Sequence, residues 1–195
     1  MKTEQKDQEK YQQQLEKKSS EVRGAKKYSD ILSRVIHDGE EIFKIKNKAM
    51  FLSAVIAGLE IGFSYFLVCT LYYLLGGTLE VHIIFKLFSV VYPVGFILVI
   101  LGKSALFTEQ TSVLALPVLN GQRTIWELLR IWSVVIIGNV IGGIIFAVFI
   151  GILGPQLNLF TQETMVEIGS HVISQDSWVL LMSAVVAGWV MGLLT

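Results

Sequence analysis

From residue 49 onward the sequence is a succession of long apolar runs separated by short polar pieces, and this pattern constrains the fold more than any single residue does. Ala49 to Gly77 is interrupted only by Glu60. At about 1.5 Å per residue the run exceeds the roughly 30 Å of hydrocarbon in a bilayer, so it spans with room to tilt. Ile125 to Leu153, with Trp126 and Trp132 near its start and Gly154-Pro155 as a stop signal, is a second full span. Ser177 to Thr195 opens a further apolar segment.

The run between these is different. As a single helix, Val81 to Leu119 would extend about 58 Å, close to twice the hydrocarbon thickness. A break is required, and the polar stretch Gly102 to Ser112 is where it is expected. Pro93 removes one backbone donor earlier in the run and Pro117 marks a short second piece. Irregular backbone at membrane depth persists only where protein buries it or a watery cavity adjoins it, so this polar cluster leads the candidates for a pathway.

Composition agrees: 53% of residues are hydrophobic and 16% charged, too apolar for a soluble domain of this size. The zero net charge hides two segments. Residues 1–48 carry twelve of the sixteen Lys and Arg and nine of the sixteen Asp and Glu. Residues 1–28 read as a solvated, charged arm. In 29–48, Ile31, Leu32, Val35, Ile36, Ile42 and Phe43 share one helical face, with Lys44, Lys46 and Lys48 following, which describes an interfacial helix on an anionic leaflet. The transmembrane domain is then 49–195, with spans near 50–76, 82–119 (broken near 102–112), 125–153 and 177–195. Basic residues cluster in the arm and around Arg123 and Arg130, while the pieces around Glu80 and over 156–176 have none. The N-terminus is therefore expected in the cytoplasm, with an inner (plasma) membrane location.

Chemistry has little to stand on. Cys69 is the single cysteine, and no phosphate loop, carboxylate pair, nucleophile triad or metal-ligand spacing appears, so no enzyme, cofactor, metal or nucleic-acid partner is expected. Gly58/Gly62, Gly138/Gly142 and Gly188/Gly192 repeat the small-residue spacing that lets membrane helices approach closely. Glu60 lies inside the first span, where an ionised carboxylate is costly, so it needs a partner or a watery cavity. A structural pairing and a transport role both stay open for it.

The stretch Tyr92-Pro-Val-Gly-Phe-Ile-Leu-Val, then Leu106-Phe107-Thr108, Asn120-Gly121, Trp132 and Gly138-Asn139, resembles the formate/nitrite transporter family from about Asn47 to Thr195. The resemblance implies an all-α membrane protein with an aquaporin-like bundle, a broken second transmembrane helix and a homopentameric assembly. Each protomer would hold its own narrow, largely apolar pore for formate, nitrite or a similar anion. It further implies Thr108 as the loop threonine, Leu106 and Phe107 as the apolar constriction, and Asn139 as the third-helix asparagine.

Two departures stand out. Ala105 occupies the place before Leu-Phe-Thr where many members carry an acidic residue, and the family's last two helices, with the central histidine loop, have no counterpart here. His171, in the polar piece 156–176, is not read as that histidine. Thr108 either lines the pore or caps a helix starting near Thr111. Lys103 either concentrates anions or snorkels or pairs with Glu109. The expected function is passage of a small monovalent anion, channel-like or proton-coupled. The competing readings are a truncated or non-transporting membrane subunit and a channel for small neutral solutes.

Overall fold

The computed structural model describes residues 29–194, with side chains as far as residue 190. The expectation for the arm 1–28 lies outside those residues. The chain forms helices α1 (29–43), α2 (Asn47–Leu75), α3 (Val81–Val91), α4 (Pro93–Gly102), α5 (Phe107–Leu119), α6 (Ile125–Gln156), α7 (Gln162–Ile173) and α8 (Ser177–Leu194).

Three helical stretches are long and apolar enough to cross a membrane: α2, α3 with α4, and α6. A fourth is added if α7 and α8, which meet at 89°, count as one bent span. The architecture is all-α, as the hydropathy pattern requires.

Local chemistry sets the boundaries. Helix α6 starts in a capping box: Thr124 Oγ1 accepts from the Glu127 N–H, and the Glu127 carboxylate accepts from the Thr124 N–H, which satisfies two of the donors orphaned at a helix start. Three helices end in the same reversal, in which a residue of positive φ lets two N–H groups turn back onto the last carbonyls. Gly121 does this after α5, Asn158 after α6 and Lys103 after α4, with φ of 75°, 56° and 51°. Glycine and asparagine tolerate that conformation, whereas lysine rarely adopts it. Helix α6 runs past Gly154-Pro155 to Gln156, because a proline in the last turn removes one bond without stopping the chain at once.

Pro93 divides the second span. Ser64 on α2 repairs the defect: its Oγ donates to Tyr92 O at 2.5 Å and accepts the Gly95 N–H at 2.9 Å. A Cβ on Gly95 would lie 2.8 Å from Glu60 O and 2.9 Å from Ile61 Cα, so α4 can sit this close to α2 only with glycine there.

Helices α2 and α6 form the main contact of the bundle, and their glycine faces lie in it: Gly58 meets Gly142, Gly62 meets Phe146 and Gly138 meets Ala54. A Cβ on Gly142 would overlap Val55 O and lie 3.0 Å from Gly58 Cα, and one on Gly58 would overlap Asn139 O. With backbones this close, dispersion over the whole crossing replaces side-chain burial as the cohesive force.

Helix α1 docks rather than lying wholly free. Gly39 sits against α5, where a Cβ would be 2.6 Å from Val113 O. Phe43 is buried with Met50, Leu114 and Leu128. Arg123 ties the helix to the α5–α6 corner, donating from both Nε and a terminal nitrogen to the Glu40 carboxylate at 2.9 and 3.0 Å. The guanidinium also lies 5.3 Å from the Phe43 ring centroid. Ile31 and Leu32 remain 49% exposed, which leaves an apolar edge for a lipid surface.

Candidate functional site

The break in the second span falls at residues 103–106, narrower than the polar stretch 102–112, because Phe107 to Ser112 are already helical. Ser104, Ala105 and Leu106 are buried, with relative exposures of 5%, 2% and 9%. Their backbone groups therefore need partners inside the protein. Two side chains supply them, and a third holds the Ser104 hydroxyl. Ser53 Oγ accepts the Ala105 N–H at 2.9 Å. Asn139 Nδ2 donates to Ala105 O at 2.9 Å and to Ala54 O at 2.8 Å, while its Oδ1 accepts the Phe107 N–H at 2.9 Å. The Glu60 carboxylate accepts the hydroxyl of Ser104.

The break therefore hangs between α2 and α6 on a fixed set of hydrogen bonds. Glu60, the intramembrane charge, is spent on this loop: its Oε1 also lies 2.6 Å from where a Cβ of Gly102 would be. Lys103 is exposed in the reversal that ends α4 and makes no ion pair with Glu109 among the described residues.

Beyond the break, α5 begins without a side-chain N-cap. Asn139 takes the Phe107 amide and the Gln110 amide returns to Leu106 O. The amides of Thr108 and Glu109 have no acceptor among the described residues. These donors carry the partial positive charge of a helix start. Thr108 is exposed beside them.

Against the break lies a cavity of about 280 Å³ lined by Leu106, Asn139, Ile61, Tyr65, Phe146 and the backbone of the glycine crossing. Its walls are almost wholly apolar. The amide of Asn139 is already saturated, so at this cavity it positions the loop and offers a passing ion no free donor.

Of the residues singled out by sequence, Leu106 and Asn139 meet at the cavity. Phe107 turns the other way and packs edge-on against Trp132, with ring centroids 6.0 Å apart. Thr108 and Lys103 face outward, and Glu60 holds Ser104. Ser53, Ser64 and Ser104 were missed by sequence reasoning. Part of the signal was there: Ser53, Glu60 and Ser64 recur at helical spacing on α2, with the small Ala57 between them, a narrow stripe that faces the second span.

The family model described as "Formate/nitrite transporter" matches residues 29–195. The inner membrane protein YfdC of Escherichia coli (strain K12) is 31% identical over 166 residues, which cover 82% of this chain and 51% of that protein. The chain thus spans about half the length of this curated relative. No solved structure matches the chain.

Proposed function

The chain belongs to the formate/nitrite transporter family, and from that premise we propose that its broken second span forms part of a pathway by which a small monovalent anion of the formate or nitrite class crosses the inner membrane. The observation that carries this reading is the α5 start. Two backbone amides without acceptors among the described residues and the Thr108 hydroxyl stand together at the end of a break that Ser53, Glu60 and Asn139 hold in place.

The mechanism needs no covalent step. An anion that sheds water to enter an apolar passage is stabilised by fixed donors and by the positive end of a half-helix. Donors already oriented by the protein cost no reorganisation as the ion arrives. Leu106 supplies the apolar narrowing, and the hydroxyl of Thr108 exchanges for water of hydration. The concentration of basic residues in the N-terminal segment supports a cytoplasmic place for that segment and an outer one for the α7 end. By family resemblance, five copies of the chain form the assembly.

A second reading is a membrane subunit with no flux of its own. It is favoured by one observation: Thr108 and residues 177–190 of α8 are exposed, so the donors are open on one side. Uptake of labelled formate and nitrite into proteoliposomes of the 195-residue chain separates the readings. Saturable uptake lost in Thr108→Val supports the pathway, and no uptake above empty vesicles supports the subunit. Glycerol flux without anion flux would point to a neutral-solute channel.

A further inference from the structure

The cavity at the break is one of three that adjoin along α2. Ile61 and Tyr65 line both it and a larger cavity of about 580 Å³ between α2, α3, α4 and α7. Phe85, Ile168 and His171 line both that larger cavity and a third of about 370 Å³ at the α7 end of the bundle. Residues shared by two cavities lie between them. The three spaces are therefore consecutive, adjoining at Ile61 and Tyr65 and again at Phe85, Ile168 and His171.

The character of the spaces changes along the series. The cavity at the α7 end is the most polar of the three, with the Tyr72 hydroxyl donating to Glu167 at 2.5 Å and Ser170 and Ser174 beside it. In the middle cavity the polar atoms of α2 are committed: Tyr65 donates to Met165 O at 2.7 Å, and Ser64 serves Tyr92 and Gly95. An ion there would meet aromatic and aliphatic walls without a competing charge, and it would not be held.

The first partition is a ring contact. His171 lies against Phe85 with centroids 4.6 Å apart and an interplanar angle of 43°, so the two rings stand in contact where the two spaces adjoin. Opening it takes rotation of one exposed histidine, a motion on the picosecond-to-nanosecond scale. The backbone around it is anchored. Tyr65 holds α7 at Met165, Thr161 caps α7 by accepting the Thr164 N–H, and Phe160 is buried against Gly154.

We propose that the α7 end is the aqueous entrance to the break, and that His171 and Phe85, with Ile168, form its side-chain gate. This rests on the reading of the break as an ion pathway and adds to it where a small hydrophilic anion comes in.

The test reads water access rather than flux. In a Cys69→Ser background, Ile61→Cys places a thiol between the middle cavity and the break. Its labelling is followed with a charged methanethiosulfonate reagent and, separately, with membrane-permeant N-ethylmaleimide, with Val140→Cys on the exposed face of α6 as the control. Labelling by the charged reagent, accelerated several-fold by Phe85→Ala or by His171→Ala, is the expected result. His171 is exposed, so its replacement does not endanger folding.

Labelling by the permeant reagent alone would mean a lipid-filled space and overturn the proposal. Charged-reagent labelling indifferent to both substitutions would overturn the gate. Accelerated labelling in a protein that takes up no anion would leave the entrance standing and remove the anion pathway. Uptake with unaltered labelling does the reverse.

Discussion

The side-chain carbonyl of Asn139 on α6 accepts the first backbone N–H of α5, that of Phe107, at 2.9 Å. The same amide donates twice on its other side, to Ala105 and Ala54. One residue thus joins α2, α6 and both sides of the break, doing for irregular backbone what a helix does for itself.

Asn139→Leu leaves Ala105 O and the Phe107 N–H buried without partners, and each such group costs about 1–3 kcal/mol. A marked fall in the thermal midpoint of the detergent-solubilised protein is expected, together with loss of uptake. Asn139→Asp keeps the acceptor and loses the two donations, so it should fall between. A Leu variant as stable as the parent would show that the break does not depend on this amide.

Glu60→Gln retains an acceptor for Ser104 and is expected to preserve stability, whereas Glu60→Leu removes the loop's partner and should not. Thermal unfolding of the pair distinguishes hydrogen bonding from charge. Equal destabilisation by both would mean that the negative charge itself holds the loop.

Gly142→Ala forces a methyl group into the Val55 carbonyl and must part α2 from α6, an overpacking that typically costs about 1–3 kcal/mol. Gly188→Ala meets nothing within 4 Å and is expected to leave the midpoint unchanged. Thermal melts of the two variants side by side provide the check.

Thr108→Val should reduce anion uptake while leaving the thermal midpoint alone, because Thr108 is exposed and its hydroxyl has no partner among the described residues. A parallel drop in both would assign Thr108 a structural role at the start of α5.

Arg123, by hydrogen bonding to Glu40, holds its carboxyl below the usual carboxylate range. A group with a lowered pKa in the folded state contributes its stabilisation above the unfolded pKa and loses it as pH falls through the folded one. Docking of α1 should therefore hold at neutral pH and loosen in acid, below the ordinary glutamate value of about 4.3. Spin labels at Ser33→Cys and Gln122→Cys in a Cys69→Ser background would report a broadened distance distribution on acidification. Glu40→Gln should be broad already at neutral pH; a distribution that ignores both pH and this substitution would show that the ion pair does not latch the helix.

Much of the fold was legible in the sequence. Long apolar runs specify spanning helices, an over-long run demands a break, and the motif from Tyr92 to Asn139 pointed to the family that the comparisons show. Less of the site was. Leu106 and Asn139 share a cavity, but Phe107 packs on Trp132, Thr108 faces out, and the serines that hold the break carry no motif of their own. Position within Leu-Phe-Thr says which residues are consecutive and not which way each points once a helix starts between the first and the second.

The amino-acid sequence by itself determined an all-α membrane architecture and the need for a break in the second span, because hydropathy, helix rise and proline geometry act over a few neighbouring residues. Only the tertiary structure decided how the break is held and where it opens. Ser53 reaches Ala105 across 52 residues and Glu60 reaches Ser104 across 44, and the Phe85–His171 contact joins separate helices. Such pairings depend on how closely separate helices approach, as where Gly95 and Gly102 lie against Glu60, a distance that no local pattern encodes.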